Sequence, residues 1–148
     1  MSKEKAFEIQ EFNFEIENTL DIGSVTGGAG AGKVDFNEFT IKKATDKAST
    51  VLFHNCCSGG HFNDVYLLLR RAGVDMSAGG GNYLKFSFKL VAVKKIGWSS
   101  GDEICEEEVV FEYGAIRIEY WYQDESGKVT GPKEAEWSRV LNYASFDV

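Results

Sequence analysis

Reactive and rigid residues are scarce in this chain. It has one proline, two histidines and two methionines among 148 residues, and a single proline against sixteen glycines means many turns and few rigid breaks. Three cysteines make an odd set, and two of them, Cys56 and Cys57, are adjacent. A bond between neighbours closes a strained ring, so no disulfide framework is expected, and free thiols in a reducing cytoplasm are the simplest reading. No apolar run approaches the roughly 18 residues that a spanning helix needs, so no membrane insertion is expected. The start, Met1-Ser2-Lys3-Glu4-Lys5, lacks the apolar core and small-residue cleavage site of a signal peptide. Export would have to use a route that reads no such signal. Positive charge is also in deficit: 16 Lys and Arg face 23 Asp and Glu, a net −7. An acidic surface repels phosphate backbones and argues against a nucleic-acid partner.

Apolar and aromatic residues, at 43% and 14%, are ample for a packed core, and the length fits one domain over 1–148. Most of the chain alternates like strand. Phe7-Glu8-Ile9 and Phe12-Asn13-Phe14-Glu15-Ile16 alternate, with the apolar phase shifting at Gln10-Glu11. Val34 and Phe36 give way to Phe39 and Ile41 across Asn37-Glu38. A one-residue shift flips the buried face, so a bulge or sharp bend is expected at each place. Val65–Leu69 is continuously apolar, as a strand buried on both faces would be. Tyr83–Trp98 reads as one long strand. Ile104–Tyr122 reads as one bent strand or two, with the bend at Tyr113-Gly114-Ala115. Asp124-Glu125-Ser126-Gly127 is a hairpin turn, and a last strand falls within Glu134–Leu141. The one helix spans about 46–58, with Asp46 as N-cap, Ala48, Val51, Leu52 and Cys56 on its apolar face, and Gly59-Gly60 as its stop. This is a mainly β protein: a β-barrel or a pair of packed sheets, with one helix and long Gly-rich loops at 21–33 and 73–82.

The run Gly27-Gly28-Ala29-Gly30-Ala31-Gly32-Lys33 comes close to the phosphate-loop pattern G-x-x-x-x-G-K-S/T. Val34 stands where the Mg²⁺-binding hydroxyl belongs, and the strand-like Val34–Ile41 follows. A phosphate loop must open a helix whose N–H groups face the anion. The nucleotide-binding reading therefore ranks behind one in which the loop delivers the chain into a strand.

Other candidates weigh less. His54, Cys56, Cys57 and His61, with Cys105 in reserve, match no strong metal spacing, so no metal and no cofactor is expected. Cys56 and Cys57 read instead as small apolar residues packed beneath the helix, with both histidines at the surface. Glu106-Glu107-Glu108 could do acid–base work only with partners opposite it, and none is visible in the sequence, so it reads as a solvated strand start. Arg70 and Arg71 point to opposite faces of a strand and cannot clamp one anion. Phe12, Phe14, Trp98, Trp121, Tyr122 and Trp137 could stack on a ligand but read mostly as core. No serine-hydrolase elbow, zinc-peptidase or kinase pattern occurs, so no catalytic residue is expected and the chain reads as a non-enzyme.

Gly30-Ala31-Gly32-Lys33-Val34, then Asn37-Glu38-Phe39-Thr40-Ile41-Lys42-Lys43 and Asp46-Lys47-Ala48-Ser49, open an ordered series of motifs. Leu52, Cys57-Ser58-Gly59-Gly60-His61, Leu69-Arg70-Arg71-Ala72-Gly73, Tyr83-Leu84-Lys85-Phe86, Gly131-Pro132 and Trp137 continue it. From about Phe7 to Asn142 this order resembles the haemolysin-coregulated protein family, the tube protein of type VI secretion systems. The resemblance implies a small β-barrel of two sheets with a side helix, hexameric rings, and head-to-tail stacking into a hollow tube. A contractile sheath drives that tube, with baseplate and spike proteins as further partners. Assembly in the bacterial cytoplasm, export without a signal peptide, and small effectors in the lumen are also implied. A ring-only effector carrier of the same fold is the alternative. On this reading Gly23, Ser24, Val25, Thr26, Gly27, Gly28 and Gly30 are expected to contact the next ring, because glycine permits the φ > 0 conformations such an arm needs. Asn13 is expected to face the lumen, its neighbours Phe12 and Phe14 pointing the other way.

Overall fold

The computed structural model describes residues 6–20, 33–71 and 81–148. The elements are β1 (Glu11–Asn13), β2 (Ile16–Asn18), β3 (Val34–Phe36), β4 (Phe39–Ala44), α1 (Ser49–Ser58), β5 (His61–Arg70), β6 (Asn82–Ser99), β7 (Glu106–Glu112), β8 (Ala115–Gln123) and β9 (Val129–Ser138). They fall into two compact units. The first takes the chain up to Gly59 together with Val93–Glu112, and the second takes Gly60–Ala92 with Tyr113–Val148. β6 contributes its first part to the second unit and its last part to the first. The expected mainly β, antiparallel architecture with one short helix is present. Closure as a barrel is not: among the described residues the ladder runs β1-β4-β7-β6-β8-β9 with β5 joined beside β6, and β2-β3 forms a sheet of its own.

In the first unit, the two phase-shifted segments of the sequence pair with each other. β1 lies antiparallel to β4, from Glu11 opposite Lys42 to Asn13 opposite Thr40. β2 lies antiparallel to β3, from Ile16 opposite Phe36 to Asn18 opposite Val34. Both chains break at one level, where the Asn37 N–H donates to the Glu15 carbonyl at 3.1 Å. The Asn37-Glu38 phase shift is this kink. On the other chain the break falls at Phe14-Glu15 and not at Gln10-Glu11, because the partner chain decides where pairing must switch. Phe7–Ile9 forms no strand.

β4 and β7 carry this unit's core. Phe39 lies opposite Phe111, Ile41 opposite Val109 and Lys43 opposite Glu107, and all six are at most 4% exposed. Strand alternation places Lys43 and Glu107 on the buried face just as it places the apolar four. Lys43 Nζ lies 2.7 Å from Glu107 Oε2, 2.9 Å from Asp46 Oδ1, 2.9 Å from the Ala44 carbonyl and 3.2 Å from Ser49 Oγ. All three ammonium protons therefore have acceptors. Ser49 Oγ donates to Glu107 Oε2 at 2.7 Å, and Trp98 Nε1 donates to Glu107 Oε1 at 2.7 Å. The Phe7 ring lies 5.3 Å from Lys43 Nζ. Glu107 is thus no solvated strand start. It is one end of a buried, fully hydrogen-bonded ion pair.

This pair also sets the helix. The Asp46 N–H donates to Ser49 Oγ and the Ala48 N–H donates to Asp46 Oδ1, at 2.9 and 2.8 Å. Asp46 therefore closes a turn ahead of the helix, which begins three residues later than expected with Ala48 as an N-cap that makes no side-chain bond. Ser49, drawn inward by Glu107, rotates the buried stripe onto Ser49 and Leu52, with Cys56 half-buried, and leaves Val51 52% exposed. Cys57 is exposed, not packed beneath the helix. Gly59, at φ 68° in the left-handed region, ends the helix as expected.

In the second unit, β5 pairs with β6 from His61 opposite Ala92 to Arg70 opposite Asn82. β6 pairs with β8, and β8 with β9. β5 is not buried on both faces: of Val65–Leu69 only Leu67 is buried, because β5 is an outer strand of the described ladder. Phe88, Val91, Tyr113, Ala115 and Ile116 complete the core, and the Phe88 and Tyr113 rings meet edge-on at 5.1 Å. Each fully buried Val, Ile or Phe side chain here contributes about 1.5–3 kcal/mol, and the single methyl of Ala115 only about 0.8 kcal/mol. The bend at Tyr113-Gly114 separates β7 from β8, as the sequence indicates. β9 begins earlier than expected, at Val129, because the tight turn before it returns the chain at once into register with β8. In that turn the Gly127 N–H donates to the Asp124 carbonyl at 2.9 Å, with Gly127 at φ 80°. Asp124 Oδ1 accepts from Ser126 N–H, Ser126 Oγ and Lys128 N–H.

Two outcomes are expected. Lys43→Met and Glu107→Leu should each cost about 3–5 kcal/mol in urea unfolding followed by circular dichroism, since each leaves a buried charge unpaired. The double variant should cost less than the sum by at least ~1 kcal/mol, and strictly additive values would refute the coupling. The second concerns Asp124, whose carboxyl is held below its ordinary value first by the Ser126 hydroxyl and then by the Lys128 N–H. A depressed carboxylate stabilises the fold above its unfolded-state value and loses that contribution as pH falls through its folded-state value. Asp124→Asn should therefore lower the melting temperature at pH 7, and the gap to wild type should close as pH falls below about 4. A gap that is constant with pH would refute this.

Candidate assembly surface

β2 and β3 form the root of the glycine-rich arm. At the last pair, Asn18 opposite Val34, the Thr19 N–H and hydroxyl both donate to the Lys33 carbonyl, at 3.1 and 3.2 Å. Lys33 thus closes the base of the arm through its backbone and leads into a strand, not into the helix that a phosphate loop must open. Gly23, Ser24, Val25, Thr26, Gly27, Gly28 and Gly30 lie outside the described residues, as do residues 72–80 of the second glycine-rich loop. Ile16 and Leu20 at the root are exposed. A two-stranded ribbon is marginal in water without further packing.

The kink below the root is gripped by charge. Lys94 on β6 reaches both Glu38, within the kink, and Glu112, the latter at 3.7 Å. The Glu38 hydrogen bond, then its charge, raises the Lys94 ammonium above its ordinary value.

Asn13 lies opposite Thr40, which in turn lies opposite Val110. Its neighbour Phe12 lies opposite Ile41 and so shares the core face. Phe14, half-buried, meets the Phe39 ring edge-on at 6.4 Å. Asn13 therefore sits on the reverse face of the β1-β4-β7 ladder, with Glu11, Thr40, Lys42, Glu108 and Val110. Lys42 pairs with Glu11 there at 3.4 Å, both well exposed, and such a pair adds little stability. Toward its edge this face is polar and exposed, at Glu11, Asn13 and Lys42, while Val110 on β7 is buried.

The reactive side chains are not brought together into chemistry. Cys56, Cys57 and Cys105 are free thiols, and His54 and His61 are exposed. Among the described residues no group of three or more His, Cys, Asp or Glu is arranged to hold a metal ion. Arg70 bonds Asn82 at 3.2 Å while Arg71 stacks over Tyr83 at 5.6 Å, so the two go separate ways. Trp98 is 47% exposed but ties its N–H to Glu107 and its ring to Phe53. The residues that sequence reasoning missed are Lys43, Glu107, Ser49 and Trp98. The signal was there: Lys43 continues the buried alternation Phe39-Ile41, and Glu107 continues Phe111-Val109.

Comparison with known proteins agrees with this geometry. Residues 1–120 match the family model "Type VI secretion system effector, Hcp". The chain is 31% identical over 109 residues to the protein Hcp1 of Pseudomonas aeruginosa, covering 72% of this chain and 65% of that protein, slightly under two thirds of its length. Among solved structures, one titled as a type six secretion system protein superposes with a TM-score of 0.80 at 23% identity, covering 93% of this chain and 85% of that one. Hcp1 from Salmonella typhimurium superposes with a TM-score of 0.68 at 23% identity, covering 98% and 89%. The family match over most of the chain and the shared strand architecture lead to one conclusion: this chain belongs to the Hcp family of type VI secretion proteins.

Proposed function

We propose that this chain is a tube subunit of a type VI secretion system and not an enzyme. Copies close into hexameric rings, and rings stack head to tail into a hollow tube that a contractile sheath propels. A contact that closes by rotation gives a ring, and one that also repeats along the axis gives a filament. The observation that carries this reading is the β2-β3 ribbon. It forms a sheet of its own among the described residues and exposes Ile16 and Leu20. It also holds the base of the arm Asp21–Lys33, which we assign to the contact with the next ring.

Asn13 and the polar face around it are assigned to the lumen, where small effectors ride. Sheath, baseplate and spike proteins are the further partners. The subunit is made in the bacterial cytoplasm and leaves through the machine. No helix among the described residues is long and apolar enough to cross a membrane. A ring-only carrier would use the same fold without axial contacts.

Light scattering and electron microscopy of the purified protein should show six-fold rings with a central hole, and a bulky label on Asn13→Cys should lie on the inner wall. A protein that stays monomeric at high concentration sinks the tube reading, and a label on the outer wall sinks the assignment of Asn13. Deleting Thr26–Ala31 should leave the melting temperature within a few degrees of wild type while abolishing stacked rings. If that deletion unfolds the protein, the arm belongs to the fold and not to the interface.

A further inference from the structure

In the first unit, two of the largest exposed apolar side chains stand together. The Phe53 ring on α1 lies 6.1 Å from the Trp98 ring near the end of β6, tilted by 51°. Phe53 is 50% exposed and Trp98 47%.

One buried carboxylate holds both members of this pair in place. Trp98 Nε1 donates to Glu107 Oε1 at 2.7 Å. Ser49 Oγ donates to the other oxygen, Oε2, at 2.7 Å. Phe53 follows Ser49 by one helical turn, on the same side of α1. Glu107 is in turn fixed by Lys43, and both side chains are fully buried. The buried ion pair thus orients two aromatic rings that the fold leaves in solvent. Aromatic anchors ordered in advance lose little side-chain entropy when a partner covers them, and a few such residues dominate the binding energy of an interface.

The rim of the pair supplies a sign. The turn after Trp98 carries Asp102, Glu103 and Glu106, all exposed, with Ile104 among them 58% exposed. Cys105 Sγ lies 3.3 Å from the Ser99 carbonyl and ties the two ends of the turn together. From 96 to 116 the chain has six carboxylates and no Lys or Arg. Glu107 is met by Lys43 and Glu112 by Lys94, and Glu108 lies opposite Lys42. Asp102, Glu103 and Glu106 make no ion pair among the described residues. α1 itself carries no Asp, Glu, Lys or Arg. Unanswered carboxylates repel phosphate groups, whether of lipid or of nucleic acid, and draw in Lys and Arg. A cation can also lie over the exposed face of an indole. The surface that complements this one has a bulky aliphatic side chain with Lys or Arg beside it, as an amphipathic basic segment does.

We propose that Phe53 and Trp98 are the docking anchors for a basic amphipathic segment of another protein. Its aliphatic side chain covers the two rings, and its Lys and Arg meet Asp102, Glu103 and Glu106. The surface belongs to the first unit alone and does not depend on the assembly reading above.

The test uses the full-length protein and a fluorescent helical peptide of Leu and Lys, with a benzophenone at one Leu position and a twin in which every Lys is Glu. Fluorescence anisotropy should show the Lys peptide bound about tenfold more tightly than the Glu twin, with affinity falling as salt rises to about 0.15 M. Irradiation should crosslink the Lys peptide to fragments containing Phe53 or Trp98. Phe53→Ala should weaken binding about tenfold. Asp102→Asn with Glu103→Gln, both in an exposed turn, should weaken it and flatten the salt dependence, while Val129→Ala, which removes an exposed apolar side chain of the second unit, should change nothing. Equal binding of the two peptides, crosslinks elsewhere, or an unchanged Phe53→Ala would overturn the proposal. So would binding to phosphatidylcholine vesicles that Phe53→Ala abolishes, which assigns the pair to lipid. Rings formed by wild type and lost in Phe53→Ala would assign it to a second copy, overturning the proposal and leaving the tube reading standing.

Discussion

The ion pair between Lys43 and Glu107 is the constraint on which the first unit depends. Two charges taken out of water are tolerated only when every remaining donor and acceptor is met. Here that demand recruits Asp46, Ser49, Trp98 and the Ala44 carbonyl. The pair therefore fixes where α1 begins, which of its faces turns inward, and how the last part of β6 lies against β7. A purely apolar pair would pack as well but would not dictate the helix's rotation, since apolar contact has no direction. The charged pair adds specificity to a core whose free energy comes from Phe39, Ile41, Val109 and Phe111.

The same network runs through the motifs that carry the family resemblance, because Lys43, Asp46 and Ser49 all belong to it. Their side chains bond one another or Glu107, so at these three positions the motif reports a fold. The carboxylate that looked most like a candidate acid or base, within Glu106–Glu108, has both oxygens occupied by structural donors. The surfaces left for the proposed assembly are the two-stranded root, with Ile16 and Leu20 exposed, and the face that holds Asn13. An assembly subunit needs exposed apolar residues and open strand edges, which a monomer would hide.

Much of the fold was legible. The kink at Asn37-Glu38, the long β6, the break at Tyr113-Gly114, the Asp124–Gly127 turn and the helix stop at Gly59 all follow from local chemistry: alternation phase, glycine and turn hydrogen bonding. The errors share one cause. Val65–Leu69 reads as doubly buried, yet burial of an outer strand depends on which strands lie beside it. Val51 reads as core, yet the helix turns on a serine bonded to a strand some sixty residues away. β9 begins early because register with β8 outweighs its own weak strand signal. Of the candidate surface, the strand entry after Lys33 and the placing of Asn13 opposite in phase to Phe12 were legible from alternation, whereas the pairing of β2 with β3 was not. The buried lock was not read, because sequence habit places charged side chains outside.

The sequence by itself determined the period-2 patterning, the places where the chain must bend, the lack of a phosphate loop's helix after Lys33, and membership of a family through motifs in order. These are properties of neighbours along the chain, set by sterics and alternation. Tertiary structure alone decided that β1-β2 and β3-β4 fold onto each other, that Lys43 meets Glu107 across 64 residues, and that Phe146 lies between Lys89 and Arg117. Those pairings depend on strand order and register. The sequence specifies them only through the summed free energy of the whole packed arrangement, so no local reading could supply them.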